Sequence, residues 1–131
     1  MYEKIGKLYM KAIKRWVLLR HLVDSGETNN NHFDLLIEDG MSCRAWRLDS
    51  IPEIDGSAVL VTVLPPHRRI WLETSGQKVS GGRGWAEPVN GGVYLGNLPE
   101  DAGSTIELQL KTQAEIVKVQ IDGKSCKFLS V

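Results

Sequence analysis

The chain has 131 residues, of which 42% are hydrophobic and 24% charged, and its formal net charge is zero. That length suits one domain with a real core, and the balanced charge excludes a molecule that meets polyanions over its whole surface. Charge is uneven along the chain, because residues 1–20 carry Lys4, Lys7, Lys11, Lys14, Arg15 and Arg20 against Glu3, so that end suits phosphate.

Residues 2–15 place Ile5, Leu8, Tyr9, Ala12 and Ile13 at helical spacing with lysines opposite, which predicts a short amphipathic helix. It either covers an open end of the core or serves as a basic arm. The period then changes to two. Strands are expected at 16–21 and 32–38, separated by a polar loop at 24–31. Asp39-Gly40 is a hairpin signal and leads into a strand at 42–48. The apolar run 58–64 reads as a central strand ended by Pro65-Pro66. A short strand-like piece follows at 70–73, then a glycine-rich loop at 81–84 and a strand at 92–95. Strands at 105–111, 116–121 and 125–131 complete the chain, the last two joined by an Asp122-Gly123 turn. About eight short strands with frequent turns predict a mainly β fold, a small closed or partly open barrel over 15–131 with a helical extension at 1–14.

No apolar run approaches the length of a membrane span, and lysines interrupt the N-terminus where a signal sequence would need an apolar core. The two cysteines, Cys43 and Cys126, are in no metal-ligand spacing and read as reduced packing residues. A cytoplasmic monomer is the expectation.

The stretch from His32 to Gly40 carries the most chemistry. Side chains alternate along a strand, so Phe33, Leu35 and Ile37 share an apolar face. His32, Asp34 and Glu38 fall on the other face, interrupted by Leu36. An imidazole and a carboxylate two residues apart on a strand make half of a metal site, and His21 is the obvious third donor. The plain alternative is a surface strand with two polar residues. Glu38 either orients a ligand imidazole or is a strand-end charge. His67, beside Arg68 and Arg69, suits a phosphate contact or general-acid role, or is simply an exposed histidine. Arg83 lies within Gly-Gly-Arg-Gly, which suits an anion clamp or a plain hairpin loop. Trp46, Trp71 and Trp85 suit a core better than a base-stacking platform, with Trp71 the exception to consider.

Taken in order, these segments resemble a known family. Arg20-His21, His32-Phe33-Asp34 with Glu38 and Gly40, and Arg44-Ala45-Trp46 look like the 3′-phosphoesterase module of the bacterial end-joining DNA ligase D. His67 to Leu72, Gly76, and Val79-Ser80-Gly81-Gly82-Arg83-Gly84 are similar to its later segments, and closer still to the module's small stand-alone relatives. The resemblance covers about residues 15–95. It implies a compact β-barrel with a divalent ion, manganese first and zinc second, that removes a 3′-phosphate or 3′-ribonucleotide from a nucleic-acid end. It implies His21, His32 and Asp34 as metal ligands, His67 and Arg83 as catalytic groups, and Arg68 and Trp71 as substrate contacts. An end-joining ligase or polymerase is the implied partner. Three positions depart from the pattern: Leu36 replaces an arginine, Trp71 a tyrosine and Ser75 a glutamate. Those losses predict activity weaker than that of the ligase modules, with Arg83 as the candidate replacement for the arginine.

Overall fold

The computed structural model describes all residues except 1, 6, 7, 12, 13, 23, 26, 27, 30, 80–83 and 102, with backbone alone for the described parts of 1–13 and 23–30. The first strands, β1 (Tyr2–Ile5) and β2 (Leu8–Lys11), pair antiparallel where helical spacing predicts a helix. Their register pairs Ile5 with Leu8. In the sequence, Gly6 is a poor helix former and weakens the helical period. Next come β3 (Arg15–Leu22), the two-residue strands β4 (Asp24–Ser25) and β5 (Thr28–Asn29), β6 (His32–Asp39), β7 (Ser42–Leu48) and β8 (Val59–His67). They are followed by β9 (Gln77–Lys78), β10 (Trp85–Leu95), β11 (Ile106–Lys111), β12 (Ile116–Asp122) and β13 (Ser125–Ser130).

Among the described residues, eight strands form an uneven ring in the order β3, β6, β7, β8, β13, β12, β11, β10 and back to β3. Every one of them gives side chains to one buried cluster, so that cluster fills the ring. It includes Trp16 and Leu18, Leu35 and Ile37, Trp46 and Leu48, Val61, Tyr94, Leu108, Val119 and Phe128. The expected apolar face of Phe33, Leu35 and Ile37 is this interior face. Cys43 and Cys126 are buried free thiols. Burial pushes them up to about 11 and about 12 respectively, which removes thiolate character near neutral pH.

A second apolar cluster lies on the outside of the ring. Val17, Leu19, Leu36, Cys43 and Ala45 form it, and Leu64, Trp71 and Leu72 pack onto it. Trp71 and Leu72 belong to a 3-10 turn, Arg69–Leu72, where a short strand was expected. Trp71 N–H donates to Arg68 O, and Glu73 N–H to Ile70 O. That winding lets two consecutive residues face the same cluster, which a strand cannot do.

Two further differences follow from proline and glycine. β8 does not end at Pro65-Pro66. Leu64 pairs with Ala45 and His67 with Cys43, so the two prolines oppose Arg44 alone in a bulge. A bulge leaves residues outside the ladder, so prolines there lose no hydrogen bond. β10 begins seven residues before the expected strand at 92–95. It pairs along most of β3, with a register shift between Pro88 and Asn90. Pro88, Asn90, Gly91 and Gly92 read as turn residues, yet here they mark a bulge and a close approach between strands.

A cleft on the outer face of the ring

The outer face of β3, β6 and β7 positions the histidines and the aspartate. His21 and His32 are directly opposed across the β3–β6 ladder, and Asp34 follows two residues on, opposite Leu19. His21 Nδ1 and His32 Nε2 are 2.9 Å apart, with the rings edge to face at 77°. His21 Nδ1 is 3.7 Å from Asp34 Oδ2, and His32 Nε2 is 3.6 Å from Asp34 Oδ1. Three donors sharing one ion at about 2.1 Å stand roughly 3.0–3.5 Å apart in tetrahedral or octahedral arrangements. The two imidazole nitrogens stand at about that separation, each imidazole faces its own Asp34 oxygen slightly beyond it, and one ligand atom from each residue lies within 4.8 Å of the others. Asp34 is buried and its Oδ1 has no hydrogen-bond partner, so the carboxylate retains a lone pair for a cation. The residues present therefore fit a divalent ion, and two imidazoles with one carboxylate suit manganese or zinc.

A cleft of about 690 Å³ opens onto His21 and Asp34 of this trio. Leu19, His21, Asp34 and Ala86 contribute from the sheet, and the segment 64–79 folds over as the opposite wall. His67, Arg68 and Trp71 line that wall. The Pro65-Pro66 bulge is what brings His67 there. Leu64 already faces outward in the second cluster. In an unbroken strand a residue three places on would face the interior, but the extra residue restores the outward face. His67 Nδ1 donates to Pro65 O at 2.9 Å. That fixes the tautomer and leaves Nε2 for proton exchange or an anion contact.

Glu38 stands four residues beyond Asp34, roughly 13 Å along the strand. It accepts from Arg15 N at 3.1 Å, Arg15 Nε at 3.0 Å, Arg15 Nη2 at 2.8 Å and Arg69 Nε at 3.1 Å. Its hydrogen bonds go to those arginines rather than to the histidine pair. Glu38 pins the 3-10 turn to the ring instead of orienting a ligand. Burial pushes its carboxyl up, but the hydrogen bonds and charge of Arg15, with Arg69, hold it below the ordinary value. Arg83 lies outside the described residues. Of the basic N-terminal residues, Lys14 is bonded to Gly96 O and Asn97, Arg15 to Glu38 and Glu73, and Arg20 faces Glu87 at 3.6 Å. Their charges serve the fold.

Sequence reasoning missed Arg47. It is the Cα partner of Asp34 across β6–β7 and lines the same cleft, as does Lys78. The Asp39-Gly40 turn contained the signal. Pairing Asp39 with Ser42 fixes the hairpin register, and counting back sets Arg47 opposite Asp34. No protein-family model and no curated protein matches this chain.

Proposed function

We propose that this protein is a metal-dependent phosphoesterase-like protein acting on the 3′ ends of DNA or RNA. The observation that carries the reading is the convergence of His21, His32 and Asp34, two of which, His21 and Asp34, line a cleft whose other side chains include Arg47, His67, Arg68 and Lys78. A divalent ion held there, manganese first, would polarise a phosphoryl oxygen. The chain's own groups would do the rest. Arg68 and Lys78 attract the anionic end, His67 gives or takes a proton through Nε2, and Trp71 offers an indole wall to a terminal base.

Leu36 supports a second reading, a module that binds such ends without turnover. Its side chain is fully buried in the outer cluster, so no polar group reaches the phosphate from that position. The test is incubation with a 3′-phosphorylated primer-template and manganese, with and without chelator. Chelator-sensitive phosphate release that Asp34→Asn abolishes is expected. Tight manganese-dependent binding of the end with no release selects the second reading, and neither binding nor release overturns both.

A further inference from the structure

We propose that Arg47 is the phosphate anchor of this cleft, the guanidinium that holds a terminal phosphate monoester beside the ion bound by His21, His32 and Asp34. The inference rests on the function proposed above and adds a residue and a substrate contact to it.

Arg15 and Arg47 each face a buried carboxylate of β6 and treat it differently. Arg15 is committed to the fold. It meets Glu38 through three donors at 2.8–3.1 Å and Glu73 through a fourth at 2.9 Å. Arg47 also faces a buried carboxylate directly across a ladder, yet its Nε stays 3.9 Å from Asp34 Oδ1, beyond hydrogen-bond distance. Both atoms are buried and without a hydrogen-bond partner. An arginine whose role was to neutralise Asp34 would close that gap, because a buried N–H left unpaired is costly. The side chain as a whole is 42% exposed and lines the cleft. A charged group is thus held beside the ion-binding trio with donors uncommitted.

With an ion on Asp34 and an anion on the exposed part of the Arg47 guanidinium, both charges gain a partner. Asp34 oxygen goes to the cation, and the Arg47 donors go to the anion's oxygens. A phosphate monoester fits best, because its terminal oxygens present two acceptors to the planar fork and its charge offsets both cations. Lys78 and Arg68 on the cleft wall add to the same field.

The test compares wild type, Arg47→Ala and Arg47→Lys, each shown to be folded by circular dichroism. Manganese is titrated calorimetrically into each protein, then inorganic phosphate into each manganese-loaded protein. If Arg47 is the anchor, Arg47→Ala binds manganese equally or up to about tenfold tighter, because a neighbouring cation is gone. Its phosphate affinity falls on the order of 10- to 100-fold. Arg47→Lys recovers part of that loss, since an ammonium restores charge but not the fork. Weaker manganese binding with unchanged phosphate affinity would instead make Arg47 a structural partner of Asp34. Wild type that binds manganese but not phosphate overturns the anchor alone, and wild type that binds no manganese overturns the site reading as well.

Discussion

Glu38 and Asp34 share one face of one strand, yet they meet their cations differently. Glu38 is saturated by Arg15 and Arg69, whereas Asp34 keeps an oxygen unpaired. Saturation marks a structural role, and it gives Glu38 a testable pH signature. Its carboxyl is held below the ordinary value, so its stabilisation is complete above the unfolded value of about 4.3 and is lost as pH falls through the lower folded value. Glu38→Gln should therefore cost about 2–3 kcal/mol at pH 7, as charged hydrogen bonds of this kind do. The cost should shrink below about pH 4. Urea unfolding of both proteins at pH 7 and pH 3 checks this, and an equal cost at both pH values would assign the role to shape rather than charge. From sequence, Glu38 was indistinguishable from a site residue. Alternation places it on the face of His32 and Asp34, but only the fold reveals that Arg15 comes within reach from the neighbouring strand. His21, His32 and Asp34 were legible because two of them share one strand face and the third precedes it across a single loop.

At the scale of the element, closure of the ring depends on how closely β10 approaches β3 and β11. Gly92 has φ +157°, and a Cβ there would lie 2.0 Å from Lys111 O. Gly123 also has positive φ, at +61°, but a Cβ there would meet nothing within 4 Å. The pair separates backbone strain from steric blockage. Gly123→Ala should cost roughly 1 kcal/mol, the ordinary left-handed penalty. Gly92→Ala should cost at least about 3 kcal/mol, because strands must also move apart. Denaturant midpoints of the two variants decide it, and equal costs would mean that β10 shifts freely. The strands with clean alternation and ordinary turns, β6, β7, β11, β12 and β13, were readable from the sequence nearly to the residue. β10 was not, because its Pro88, Asn90 and Gly91-Gly92 imitate a loop. The 3-10 turn was not either, because four residues cannot establish a period and its apolar pair packs against a surface built by other strands.

For the molecule as a whole, the interior of the ring is filled by side chains from all eight strands, which puts the chemistry on the outside. The outer cleft gains depth because the segment 64–79 folds back over β3, β6 and β7. Net charge is zero over the chain, yet the cleft gathers Arg47, Arg68 and Lys78 against Asp34. Among the described residues such a distribution would steer a phosphate to one place, since Lys14, Arg15 and Arg20 are engaged within the fold. On the proposed end-binding function, about two or three phosphates would be neutralised, which would set a slope of roughly −1.4 to −2.1 for the logarithm of affinity against the logarithm of salt on a single strand. Lengthening the oligonucleotide beyond a few nucleotides should add little. Fluorescence anisotropy with labelled 3′-phosphorylated strands of increasing length, across a salt series, measures both quantities. A slope of about −5 that steepens with length would place contacts along the strand, and residues 1–13, with Lys4, Lys7 and Lys11, would then be the place to look for them. A shallow slope that does not change with length would place the nucleic-acid contact at the cleft, because its described cations, Arg47, Arg68 and Lys78, are few enough to displace only a few counterions.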